Sequence, residues 1–327
     1  MHPLITITCR TAEQMRSALD DGINQCDIGS VAGVNSSETP MKVWDRKRRG
    51  AAPSDDSTII QMEASLRPLI AHLFAQQSGA FIDPASATPT VKAMADKPWL
   101  RVRPDRMYWD ASVPAPSRTE RNSRLLECIT VRTDFEATEM PSHMYCRLQY
   151  KMAVLGKEGC TVAWLNVVNG AFGVTEVPFN EGFWKTLERH ADTFWKECVL
   201  GGAAPRLIKT DEDVRLRFPH ETPGKTVSAD PEVMQAVLDY REALEAETRG
   251  KQRKENAAMR IRTAMGDAEN LTDRYGQLLA TWKCGKPAEE LDMDRFRKEH
   301  PELYLAYTRP KPAPRSLRFK KPAAMPA

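Results

Sequence analysis

Apolar residues recur at intervals of three and four over Ile59, Met62, Leu66, Leu69, Ile70, Leu73 and Phe74. That period predicts an amphipathic helix over 59–77 with this face turned to the core. The pattern changes at Arg124-Leu125-Leu126-Glu127-Cys128-Ile129-Thr130-Val131, where a short apolar, β-branched run predicts a central strand. Side chains alternate across a strand, so Leu125, Glu127, Ile129 and Val131 share one face, and Leu126, Cys128 and Thr130 the other. A second apolar segment ends near Asp105 or Asp110 and is a candidate neighbouring strand. Segments 161–168 and 172–177, joined by Asn169-Gly170, predict a β-pair.

Helices are predicted from an N-cap at Thr11 to Asp20, near Ser30–Val34, after Thr39-Pro40, over 141–156, and over 181–199 with Phe183, Trp184, Leu187, Phe194 and Trp195 inward. Stretches 83–90 and 111–123, rich in Pro and small polar residues, read as surface loops. Beyond a linker, Pro231 to Met265 is a long helical segment with a break expected at Gly250. A strand over 278–283, a helix over 296–304 ending near Tyr307, and a basic strand over 315–320 complete the reading. The domains are expected as a core over 1–205, a linker over 206–228, a C-terminal extension over 229–320 and a disordered tail over 321–327.

Composition adds bounds. A chain of 327 residues, 41% hydrophobic and 28% charged, has ample length for one large domain plus an appendage. A net charge of +3 does not by itself imply a nucleic-acid partner. No apolar run approaches the ~18 residues of a membrane span, and Met1–Arg10 lacks a leader pattern, so a cytoplasmic protein with no membrane partner is expected. The seven cysteines are scattered without a Cys-x-x-Cys pair, which argues for reduced, mostly buried thiols.

The chemistry centres on Glu127. A glutamate in apolar company must be paired, protonated or bound to a metal, and two acids on neighbouring strands are the minimum for holding a divalent cation. Trp99-Leu100-Arg101-Val102-Arg103-Pro104-Asp105-Arg106, then Leu125-Leu126-Glu127, then Tyr145-Cys146-Arg147-Leu148-Gln149-Tyr150-Lys151 resemble the core of the YqaJ-type viral recombinases. These are relatives of phage lambda exonuclease in the PD-(D/E)xK nuclease superfamily. Asp27-Ile28-Gly29-Ser30, Thr39-Pro40, and the Phe194-Trp195 to Pro205 stretch extend the resemblance over nearly the whole chain. It implies an α/β (α+β) fold: a restriction-endonuclease-like core with a mixed central sheet flanked by helices, and a helical C-terminal extension.

The resemblance also implies a site. Asp105 and Glu127 are the remnant catalytic and metal-binding acids, with Asp110 and Glu63 as alternates. Ser30 is either an ordinary helix cap or a phosphate contact. With Arg46, Lys47, Arg67, Arg147 and Gln149 it forms the expected DNA- or phosphate-binding set. Three positions depart from the family pattern: Arg67 replaces its Glu, Ile129 its Lys and Arg147 its first Gln. The family's Glu, Asp, Glu, Lys and Gln sum to a charge of −2, whereas the matching residues here sum to zero. Like charges about 4 Å apart repel by on the order of 4 kcal/mol per unit pair, so an arginine beside a divalent ion opposes its binding. The expectation is therefore a catalytically impaired homologue, without a cofactor, that binds duplex DNA or its ends. An active Mg-dependent exonuclease with a rearranged site, and a protein-interaction or anti-defence module on a nuclease fold, are the alternatives. The resemblance further implies a single-strand annealing protein as a partner, and a homo-oligomer.

Overall fold

The computed structural model describes residues 3–50, 58–87, 90–133, 140–286, 291–309 and 315–319; side chains of 58–61, 63, 86 and 87 also lie outside the described set. The chain forms two compact units, Met1–Pro219 and His220–Ala327.

The first unit is built on a five-stranded mixed sheet: β2 (Phe81–Ile82), β5 (Arg106–Trp109), β6 (Arg124–Val131), β7 (Gly159–Asn166) and β8 (Phe172–Pro178), in that spatial order. Only β6 and β7 run parallel, with Glu127 opposite Val162. The helix between them, α5 (Ser142–Leu155), is the crossover that a parallel pair requires. The expected mixed sheet flanked by helices is thus present.

Alternation along β6 divides the core as predicted. Leu125 faces a large cluster with Met107, Cys160 and Val162 under α5, α3 (Pro40–Arg49) and α6 (Glu181–Thr193). Leu126 and Cys128 face a smaller cluster with Tyr108, Ala163, Ile70 and Phe74. The last two come from α4 (Thr58–Ser78). That helix forms as its period requires, but among its described side chains only Ile70, Ala71 and Phe74 are buried, and Met62 and Leu69 are exposed.

Several elements differ from expectation. A three-stranded antiparallel sheet of β1 (Leu4–Thr8), β3 (Thr90–Met94) and β4 (Arg101–Val102) was not foreseen. The short helix is α2 (Ile28–Val31) rather than 30–34. Gly29 lies against α5 there: a Cβ would stand 3.1 Å from that of His143. Helix α6 continues into a π-helical segment, Phe194–Leu200, which keeps Phe194 and Cys198 inward. The stretch expected as a linker holds α7 (Asp211–Arg217). Asp213 accepts from the backbone N–H of Lys209 and Thr210 and from Thr39 Oγ1, joining α7 to the N-terminus of α3. The first compact unit, Met1–Pro219, includes α7.

In the second unit, α8 runs unbroken over Pro231–Met265, so Gly250 does not interrupt it. A hairpin of β9 (Asn270–Thr272) and β10 (Leu278–Thr281) follows. The expected single helix over 296–304 is two, α9 (Met293–Glu299) and α10 (Pro301–Tyr307), because Pro301 cannot continue the first but suits the start of the next. Residues 315–319 form no strand; Lys320 and the tail 321–327 lie outside the described residues. All seven cysteines are free, five buried and Cys26 and Cys284 exposed. Among the described residues no helix is long and apolar enough to cross a membrane.

Candidate functional site

Glu127 sits at the middle of β6, and its side chain is buried on the face covered by α5. Arg147 and Lys151, four residues apart and therefore on one face of that helix, close on it from opposite ends. Arg147 Nη2 donates to Glu127 Oε1 at 2.7 Å, and Lys151 Nζ donates to Oε2 at 2.5 Å. Burial alone would raise the Glu127 pKa, but the charges of Lys151 and then Arg147 outweigh it and hold it at about 2. Of the three ways to bury a glutamate, the chain uses pairing.

Asp105 is the second acid. It immediately precedes β5, is buried, and its Oδ2 accepts from the Cys128 backbone N–H at 2.9 Å. Its Oδ1 lies 3.7 Å from Arg67 Nη1. Of the two aspartates the sequence leaves open, Asp105 lies beside the Glu127 strand, whereas Asp110 is half-exposed and pairs with Arg124 at the start of β6. Glu63 has its side chain outside the described residues.

Two further arginines surround the pair. Arg106 Nη1 donates to the Asp105 carbonyl at 2.7 Å. The half-buried Arg103 guanidinium has no hydrogen-bond or ion-pair partner among the described residues. Burial lowers its pKa, and the neighbouring charges of Arg67 and Arg106 act in the same direction against Asp105. Burial also works against the charge of Arg147, but Glu127 wins and its pKa is raised; its Nε is buried without a partner.

The remaining expected phosphate contacts are engaged elsewhere. Ser30 is buried, donating to Glu38 and accepting from Asn35. Arg46 binds Asp20, Asp27 and Glu38, and Lys47 binds Asp20 and Asp27; the basic run at the end of α3 is thus half turned inward. Gln149, on the opposite side of α5 from Arg147, donates to Pro178 O and accepts from Asn180 N, clamping α5 to the end of β8.

A divalent cation does not fit these residues. Both Glu127 oxygens are occupied by cations, one Asp105 oxygen is occupied by an amide, and the other faces Arg67. Among the described residues no three acids, histidines or cysteines are grouped to hold a metal. Five cations (Arg67, Arg103, Arg106, Arg147 and Lys151) surround two carboxylates, and this excess suits an anion. Three of the five, Arg103, Arg106 and Lys151, were not in the expected site set in any form. Lys151 was signalled by its spacing from Arg147 opposite a buried acid. Arg103 had no comparable signal, because an arginine two before an aspartate is common on any surface.

No family model matches the sequence, and no curated protein matches it. Among solved structures, the chain is similar to LHK-Exo in complex with dAMP, at 12% identity and a TM-score of 0.47, over 58% of this chain and 94% of that one. It is similar to an alkaline exonuclease, LHK-Exo, from Laribacter hongkongensis, at 12% identity and a TM-score of 0.45, with the same coverage. The structure of SSO0001 matches at 13% identity and a TM-score of 0.35, over 57% of this chain and 79% of that one. With identities this low and TM-scores below 0.5, the reading of the chain rests on its own residues.

Proposed function

We propose that this chain is a nuclease-like protein without metal-dependent cleavage, which holds phosphates of duplex DNA in the cleft around Glu127. The observation that carries the reading is the double engagement of the Glu127 carboxylate by Arg147 and Lys151. A metal would have to displace two cations from a buried acid, and the charge left behind would oppose it. A phosphate instead would meet the outer edges of Arg67 and Arg147, whose side chains are 37% and 28% exposed, and Arg103, whose guanidinium has no partner among the described residues. Lys151, buried behind them, keeps the acid neutralised and the cleft net positive.

One observation favours a second reading. Lys151 places an ammonium beside Glu127, where the resemblance expects a lysine that Ile129 does not supply. An exonuclease with its lysine moved to α5 would use Asp105, Glu127 and Lys151.

The experiment is a nuclease assay on linear 5′-phosphorylated duplex with Mg²⁺ or Mn²⁺, beside a gel-shift in EDTA across a salt series. Salt-sensitive binding without cleavage is expected. Cleavage lost in Glu127→Ala would establish the second reading. Neither binding nor cleavage would overturn both and leave a protein partner as the role of the fold.

A further inference from the structure

Helix α8 is 35 residues long, or roughly 52 Å at 1.5 Å per residue, and of its residues only Met265 is fully buried. Its charge is divided between its halves. Residues 231–248 carry five acids and one arginine, net −4, and residues 249–265 carry six basic residues and one acid, net +5. The helix dipole favours acids at the start and bases at the end, but that effect is confined to the first and last turns. It does not account for Glu242, Glu245 and Glu247 followed at once by Arg249, Lys251, Arg253 and Lys254 at mid-helix.

A narrow stripe runs along the acidic half. Val233, Val237, Tyr240 and Leu244 follow one another at spacings of four, three and four, which places them on one face. Val233, Tyr240 and Leu244 are 50%, 46% and 47% exposed, although the Tyr240 ring also stacks on Phe319 of its own chain at 4.5 Å. Continuing the same spacing through the basic half meets Glu247, Lys251, Lys254, Ala258 and Ile261.

We infer that α8 pairs antiparallel with α8 of a second copy of this chain, crossing near Gly250. A two-fold axis near Arg249 sets Val237 against Ile261 of the partner subunit and Tyr240 against Ala258 of the partner subunit. It sets Leu244 on the aliphatic stem of the partner's Lys254, and Glu247 opposite the partner's Lys251. The acidic half of each helix lies along the basic half of the other, whereas a parallel pair would oppose like charges along its whole length.

Gly250 supports the crossing. A mid-helix glycine costs about 1 kcal/mol relative to alanine, yet the helix is continuous there and a Cβ would meet nothing within 4 Å. Nothing among the described residues of its own chain accounts for the missing side chain; close approach of a second helix does.

Sedimentation velocity of the full chain across a concentration series tests the inference. A monomer–dimer equilibrium is expected, weakened about tenfold or more between low and high salt because the pairing is electrostatic and exposed. Reversing three bases (Arg249→Glu, Lys251→Glu, Lys254→Glu) should abolish the dimer, and so should reversing three acids (Glu242→Lys, Glu245→Lys, Glu247→Lys). An equimolar mixture of the two variants should restore it. Circular dichroism of each variant checks that α8 stays helical; if either half-reversal unfolds it, Gly250→Leu, which keeps the charges and blocks the crossing, serves in its place. A monomer at every concentration, a trimer, or a dimer indifferent to salt and to both reversals would overturn the inference. Loss of DNA binding without change in mass would overturn it too, assigning the basic half to nucleic acid.

Discussion

Replacing Lys151 by methionine keeps the volume and flexibility of the side chain while removing its charge. Glu127 is then left buried with only Arg147 across from it. The cost can be estimated from the parent: a carboxyl that ionises near 4.5 when exposed is held at about 2 in the fold. At 1.36 kcal/mol per unit this is worth on the order of 3 kcal/mol. Lys151 is the largest favourable contributor, so Lys151→Met should destabilise by roughly 2–3 kcal/mol at pH 7, near the range for breaking a buried pair.

The pH dependence has a definite sign. A depressed folded-state pKa contributes stability that is complete above about 4.5 and is lost as pH falls toward about 2. The variant has less of this contribution to lose, so its deficit should shrink by about 1 kcal/mol between pH 7 and pH 3.5. Urea unfolding at the two pH values measures this. Six of the seven tryptophans, all but Trp282, lie in the first unit, so their emission follows the part that matters. A deficit below about 1 kcal/mol at pH 7, or one identical at both pH values, would refute the pairing as described.

Arg103→Ala should weaken duplex binding and lower the slope of log K against log salt by about 0.9, the value of one phosphate contact. Its unfolding midpoint should be unchanged, since the guanidinium has no partner to lose among the described residues. Arg67→Glu combined with Arg147→Gln would bring the site to Glu, Asp, Glu, Lys and Gln, the composition and charge of −2 implied by the resemblance. Calorimetry should then detect Mg²⁺ binding that the parent lacks, and none would mean that these side chains do not share a site. Tyr150→Phe removes a hydroxyl that donates to Ile23 O at 2.6 Å and accepts from Arg101 N at 3.0 Å. Ile23 O and Arg101 N stay bonded to each other at 2.9 Å, so only the hydroxyl's own two bonds are lost and a loss of about 1 kcal/mol in urea unfolding is expected.

The central strand was legible because one apolar run with a single acid has few ways to fold, and its alternation gave the two core faces directly. The pairing of Glu127 was legible in kind but not in partner. Helical spacing puts Arg147 and Lys151 on one face of α5, but the sequence does not show that this face meets Glu127. Ile129 itself is half-buried and packs against the main core, as an isoleucine on that face should. Arg46 and Lys47, expected as phosphate contacts, turn to Asp20 and Asp27 within the fold. Nothing local reveals that these two acids, distant in sequence, wait beneath them. The sheet of β1, β3 and β4 was missed for a similar reason: none of its strands carries an apolar run long enough to stand out, and its pairing is defined by contacts between residues some 90 positions apart, such as Leu4 with Met94.

The bond from the Cys128 amide to Asp105 has a consequence for how the sheet breathes. Pairing of β5 with β6 reaches only Arg106 opposite Leu126, and beyond it a side-chain oxygen takes the place of a strand carbonyl. Exchange of this one amide with deuterated solvent therefore requires only rotation of a carboxylate, not separation of two strands. The Cys128 amide reports on the cleft while its neighbours in β6 report on the fold. An anion that drew Arg67 away from Asp105 would register at that amide before the rest of the sheet opened.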